Sequence, residues 1–181
     1  MSEELDFLKT IATRLDAGGF PYMLSGSLAL TFYAKPRMTR DIDIVIAIEP
    51  VAARRFTDLF ASDCYVDEDM VREAAGSRDM FNIIHNESVI KADFVVRKDD
   101  AYRLAEFDRR GHFDIEGTKI VVVAPEDLVL SKLLWSKDSA SQMQRDDVRN
   151  LLDSNPEMDW DYLERWAGKL GVDQALDQVR R

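Results

Sequence analysis

The sequence predicts an α+β fold, with strands early in the chain and helices late. Three observations carry this reading. Asp41-Ile42-Asp43-Ile44-Val45-Ile46 reads as a strand with an apolar face. Residues 80–96 and 113–123 hold further short β-branched runs broken by turn residues. From Pro125 onward the apolar residues recur at helical spacing. No repeat, low-complexity run or linker divides the 181 residues. The expected organisation is one domain over 1–181, with strands in about 1–123 and a helical part in about 124–181.

In order, residues 3–17 form an amphipathic helix with Leu5, Leu8, Ile11, Ala12 and Leu15 on one stripe, stopped by Gly18-Gly19. Pro21 leads into a short strand at Tyr22–Leu24, and Ser27–Ala34 reads as a short helix ended by Lys35-Pro36-Arg37. A strand over 41–48 follows. Pro50 then starts a helix to about Phe60. The acidic segment 64–78 reads as a loop or short helix. Met80–His85 and Ser88–Val96 are two strands joined by a tight Asn86-Glu87 turn. A helix near 99–106 precedes strands near 113–116 and 118–123, joined across Glu116-Gly117. Pro125 takes the first position of a helix whose first turn holds Glu126 and Asp127, where the dipole favours them. A helix over about 140–153 and two more between Trp160 and Val179 complete the chain.

Composition narrows the function classes. At 46% hydrophobic the chain can bury one sizeable core, and no apolar run is long enough to cross a bilayer. The opening Met1-Ser2-Glu3-Glu4 is acidic and unlike a signal peptide, so a soluble cytoplasmic protein without a membrane partner is expected. The single cysteine, Cys64, excludes an internal disulfide and a cysteine-rich zinc site. His85 and His112 lack metal-ligand spacing and read as surface or edge residues. A net charge of −10 disfavours a general nucleic-acid binder. Lys35, Arg37 and Arg40 nevertheless cluster before the aspartates, either to hold a triphosphate or acceptor, or as loop cations balancing Asp41 and Asp43.

The candidate chemistry begins at Leu24-Ser25-Gly26-Ser27. Gly26 lets backbone approach a ligand, and Ser27 with the N–H groups of a helix start suits phosphate. Two residues apart on a strand, Asp41 and Asp43 share one face with Cα atoms roughly 6.6 Å apart, close enough to share a cation. Asp67-x-Asp69 and Asp159-x-Asp161 have the same spacing but no apolar strand, and read as solvated turns or helix N-termini. Asp93 lies inside an apolar strand with Lys91 on the same face, as a salt-bridge partner or a metal ligand. From Leu128 to Ser136 the helix is apolar nearly all round except for Lys132, which should have an anionic partner, a carboxylate or a phosphate. Gln144 and Asp147 continue the apolar stripe of the next helix, as a polar site or as a Lys132–Asp147 pair.

Gly26-Ser27, Asp41-x-Asp43 and the later Asp93 together resemble the DNA polymerase β-like nucleotidyltransferase superfamily. Ser-Gly-Ser-Leu-Ala-Leu-Thr-Phe-Tyr and Pro-Arg-x-Thr-Arg-Asp-Ile-Asp-Ile look more narrowly like the AbiEii-type minimal bacterial nucleotidyltransferases, as do Ala124–Leu133 and Gln144-x-x-Asp147-Val148. The resemblance spans about residues 5–175. It implies a small mixed sheet with helices on its faces and a helical C-terminal part. It implies transfer of a nucleoside monophosphate from an NTP to a hydroxyl, with release of pyrophosphate. Asp41, Asp43 and Asp93 would be catalytic and hold two Mg²⁺ (or Mn²⁺) ions. Gly26, Ser27, Arg40 and Lys132 would bind the nucleotide phosphates, with Gln144 and Asp147 as substrate or support residues. The acceptor would be tRNA, a small molecule or a protein. Some members of that branch are toxins, so an antitoxin partner is a further expectation. The rival reading is a non-catalytic nucleotide-binding or protein-interaction module on the same fold.

Overall fold

Residues 3–139 and 141–180 are described by the computed structural model. Helix α1 (Glu3–Gly18) buries Phe7, Leu8, Ile11, Ala12 and Leu15, the stripe its spacing predicts with Phe7 added and Leu5 only partly buried. Strand β1 (Tyr22–Ser25) runs directly into the single helical turn α2 (Gly26–Ala29), continued by a 3-10 turn at Leu30–Phe32. Then come β2 (Ile42–Ile46), α3 (Ala53–Phe60), β3 (Cys64–Tyr65), α4 (Glu68–Ser77), β4 (Met80–His85) and β5 (Lys91–Val96). Helix α5 (Ala101–Asp108), β6 (Gly111–Ile115) and β7 (Thr118–Val122) follow. The chain ends in α6 (Pro125–Ser139), α7 (Gln142–Ser154), α8 (Trp160–Leu170) and α9 (Asp173–Val179). None of the described helices is long and apolar enough to cross a membrane.

The strands form one mixed sheet in the order β3-β4-β5-β2-β1-β7-β6. β2 pairs with β5, and β1 with β7, in parallel; the other neighbours are antiparallel. Register sorts the two faces. Leu24, Ile44, Phe94 and Phe81 lie side by side across four strands and are all buried. One residue along, the row Ser25, Asp43, Asp93, Asn82 crosses the same strands on the opposite face. Phe56 and Phe60 of α3 close on Phe81 and Phe94 to fill the apolar side. The sheet therefore buries one face around the aromatics and presents a polar row on the other.

Several boundaries differ from the sequence expectation, each for a local reason. Asp41 precedes β2 rather than opening it, and is exposed. The helix expected over Ser27–Ala34 closes early, since the Tyr33 and Ala34 N–H groups both donate to the Leu30 carbonyl. Segment 64–78 is ordered as β3 and α4, because Asp67 caps α4 by accepting from the Met70 N–H at 2.9 Å. Asp159 does the same for α8. Both decoy Asp-x-Asp pairs are thus helix N-termini. The α7 start expected at residue 140 lies outside the described residues, and α7 begins at Gln142.

The β4–β5 connection is longer than the expected two-residue turn. His85 N–H donates to the Ile90 carbonyl, leaving a four-residue loop in which the His85 ring meets Ser88 Oγ at 2.9 Å. Closing it places Val89 at φ 57°, 73% exposed. A β-branched residue in the left-handed region carries about 1–2 kcal/mol of strain. Val89→Asn is therefore expected to stabilise the protein by about 1 kcal/mol, read as a higher urea midpoint with an unchanged slope.

Candidate active site

The site begins where β1 ends. The chain turns at Gly26 (φ 63°) into α2, and a Cβ there would meet Asp43 Oδ2 at 1.9 Å. Glycine is thus required twice, by the backbone conformation and by the carboxylate pressed against it. The next residue, Ser27, donates its backbone N–H to Asp43. Burial holds the Asp43 carboxyl above the usual carboxylate range, and the charges of Asp93 and Asp41 add to this. The Ser27 N–H and the more distant Lys132 ammonium work the other way. Gly26→Ala is expected to cost at least the roughly 1–2 kcal/mol of left-handed strain and to displace Asp43. Urea unfolding and nucleotide calorimetry on the variant would register the two losses.

Parallel pairing sets Asp93 beside Asp43 on the neighbouring strand. Asp93 is buried, and Lys91, two residues earlier on the same face, places its Nζ 2.7 Å from Asp93 Oδ2. The same Nζ is 4.0 Å from Asp41 Oδ1. Asp43 and Asp93 thus stand side by side on the interior strands β2 and β5, Asp41 lies just before β2, and the cation among them is a lysine.

A second polar group joins α2 to the α6–α7 hairpin. Lys132 is 2% exposed, with its Nζ 2.7 Å from Asp147 Oδ2 and 3.2 Å from Gln144 Oε1. Burial pulls this ammonium below its ordinary range, while Asp147 opposes the shift. Arg37 reaches the other side of Asp147, with Nε 3.0 Å from Oδ1, and also donates to Ser27 Oγ. Of the two anions that the sequence left open for Lys132, the structure shows the carboxylate of Asp147. Arg40 is exposed, and the loop cation that touches the Gly-Ser turn is Arg37. The sequence left Lys35, Arg37 and Arg40 either to hold a triphosphate or acceptor or to balance Asp41 and Asp43; the partners of Arg37 in the structure are Ser27 and Asp147, which only the fold brings near. Asn82, beside Asp93 in register, was also missed, though a lone amide between Phe81 and Ile83 was its signal.

Aspartate oxygens are the donors that a hard divalent cation takes, and a glycine that admits Asp43 to the turn suits such a site. Among the described residues, however, no three His, Cys, Asp or Glu side chains are grouped closely enough to hold a metal ion. The donor chemistry fits; the convergence requires the carboxylates, and Lys91 with them, to shift.

No protein-family model matches this sequence, and no curated protein does. Solved structures do share its fold. An antigenic nucleotidyltransferase-like protein from Paracoccidioides brasiliensis aligns with a TM-score of 0.58 at 20% identity, over 86% of this chain and 77% of that one. The lincomycin-bound lincosamide antibiotic adenylyltransferase LnuA gives 0.54 at 15%, over 83% and 96%. The antibiotic-resistance factor ANT(2'')-Ia gives 0.56 at 14%, over 98% and 94%. The chain has the nucleotidyltransferase fold.

Proposed function

We propose that this protein is a nucleotidyltransferase that moves a nucleoside monophosphate from an NTP to a hydroxyl. The observation that carries the reading is the register of Asp43 with Asp93 beside the Gly26-Ser27 turn, with Asp41 at its rim. In the transfer the acceptor oxygen bonds to the α-phosphorus, the bond from that phosphorus to the pyrophosphate oxygen breaks, and the hydroxyl proton is released.

Asp41, Asp43 and Asp93 would hold Mg²⁺ or Mn²⁺. Bound there, the metal supplies charge to the leaving pyrophosphate and acidity to the acceptor hydroxyl. The chain's own part is positioning. The Gly26 turn brings backbone and the start of α2 to the phosphates, and Arg37 at Ser27 adds a fork-shaped cation suited to them. Lys132 acts from behind, holding Asp147 and biasing Asp43 toward its charged form. Gln144, bonded to Lys132, orients that ammonium.

For the acceptor we favour a small hydroxyl compound over RNA, since the net charge of −10 repels a polyanion. Among the fold's other members, LnuA is described with lincomycin and ANT(2'')-Ia with adenylyl-2''-tobramycin. Membership of the AbiEii-type branch, with a tRNA or protein acceptor and an antitoxin partner, is the alternative form of the same reading. A second reading, a non-catalytic module, draws on one observation: Lys91 and Arg37 already pair with Asp93 and Asp147 as in a plain scaffold.

The first experiment is calorimetry of NTP binding with Mg²⁺, comparing the native protein with Asp41→Asn/Asp43→Asn. Metal-dependent binding that vanishes in the double variant supports a nucleotide site at the aspartates, and labelled-NTP transfer to candidate acceptors then separates a transferase from a module that only binds. No binding of any NTP by the native protein, with or without metal, favours the scaffold.

A further inference from the structure

Asp41, Asp43 and Asp93, at the start of β2 and on its neighbour β5, repel one another, and folded proteins rarely leave such carboxylates uncompensated. Here compensation comes from within the chain. Lys91 projects from β5 on the face of Asp93, its Nζ 2.7 Å from Asp93 Oδ2 and 4.0 Å from Asp41 Oδ1. The lysine is two residues from Asp93 on the same strand, so strand alternation alone puts both side chains on the sheet's polar face. Its side chain remains 40% exposed, free to swing into solvent at little packing cost.

We propose that Lys91 is a built-in cation that competes with divalent metal for Asp93 and Asp41, so that metal entry requires the Lys91–Asp93 pair to open. This rests on the metal-dependent transferase reading above and adds a determinant of when the site loads. An ammonium between the carboxylates blocks approach of a metal ion to the Asp93 oxygen that it bonds. It also lowers the local negative charge that would attract the ion. The protein should therefore bind metal weakly by itself. A bound NTP, bringing its own phosphate oxygens to the metal and a second anion for Lys91, should tip the balance. Loading of the site is thereby tied to arrival of substrate.

The test is Mn²⁺ binding to the full chain, followed by electron paramagnetic resonance of free Mn²⁺, for the native protein, Lys91→Met and Lys91→Arg. Methionine keeps most of the aliphatic stem without the charge. Arginine keeps the charge and controls for folding. Lys91→Met is expected to bind Mn²⁺ about tenfold more tightly in the absence of nucleotide, and Lys91→Arg to stay near native affinity, because the first removes the opposing charge and the second keeps it. Melting temperature should also rise more steeply with Mn²⁺ in Lys91→Met than in the native protein. Equal or weaker Mn²⁺ binding by Lys91→Met overturns the competition while leaving the metal site standing. If none of the three proteins binds Mn²⁺, alone or with a non-hydrolysable NTP, the metal reading itself fails, and the competition with it.

Discussion

Asp43→Asn is expected to lower nucleotidyl transfer by roughly a thousandfold and yet to make the chelated protein melt higher at neutral pH. The first effect follows from the role proposed for the carboxylate. Losing about 4 kcal/mol of transition-state charge stabilisation corresponds to that factor. The second follows from linkage. The folded state raises the Asp43 pKa above 3.8, because the carboxylate is buried and faces Asp93 and Asp41. The folded chain thus holds this proton more tightly than the unfolded chain. Ionisation removes stability as pH climbs from the unfolded value through the folded one, and the whole penalty is in force above the folded value. Asparagine does not ionise and still offers an oxygen to the Ser27 N–H. The stability gap between variant and native protein should close as pH falls below about 4, where both states are protonated. A steady-state transfer assay and thermal melts with chelator at pH 7 and pH 4 provide the readouts. An Asp43→Asn protein that melts lower at neutral pH would mean that the carboxylate stabilises the fold, as a scaffold partner would.

Arg109→Ala is expected to be strongly destabilising, at about 3–5 kcal/mol. Arg109 donates from Nε to Asp127 Oδ2 at 3.0 Å and from a terminal nitrogen to Glu126 Oε2 at 2.7 Å. Its guanidinium also lies 3.9 Å from the centre of the Tyr162 ring, whose hydroxyl donates to Asp127 Oδ1 at 2.7 Å. Asp127 is fully buried, and burial raises its carboxyl even with these donors in place. Removing the arginine leaves two carboxylates in the first turn of α6 with one cation fewer, in a chain whose total stability is of the order of 5–15 kcal/mol. Urea unfolding would show the lower midpoint. Arg109→Met/Asp127→Asn should recover much of the loss, because the buried charge goes with its partner. The same cluster ties α6 to α8 and to the loop before it, where the Asp159 N–H donates to Glu126 Oε1 at 3.1 Å. Helix α6 carries Lys132, so a loosened N-terminal end would also weaken nucleotide binding in variants that remain folded.

Much of this was legible from residues close in sequence. Asp41 and Asp43 stand out because β-branched residues follow them, and the Gly26-Ser27 turn because a helix opens after a strand. Lys132 is conspicuous because it is the one charge between Leu128 and Ser136 on its helix, and Asp147 because it interrupts an apolar stripe. Each is a departure from a local periodicity. The same logic separated the decoys at Asp67 and Asp159, which cap helices.

Contacts between distant segments were not legible. Arg37 looked equivalent to Lys35 and Arg40 until the fold brought Ser27 and Asp147 within its reach, 10 and 110 residues away along the chain. Segment 64–78 is weakly patterned, since β3 is two residues long and α4, capped by Asp67, buries only Val71, Ala74 and Ala75. The four-residue loop after β4 was missed because the register of β4 with β5, rather than turn chemistry, forces Val89 into a conformation that valine disfavours.

What the sequence determined by itself is therefore the alternation that gives each strand a polar and an apolar side, and the identity of the groups offered on the polar side. Only the tertiary structure decided which of them meet. Parallel pairing of β2 with β5 sets Asp43 beside Asp93, antiparallel pairing of β1 with β2 sets the Gly26 turn over Asp43, and the α6–α7 hairpin closes Lys132 on Asp147. Periodicity is written in neighbours along the chain. Register and packing are set by burying the whole apolar face at once, and no local stretch encodes that.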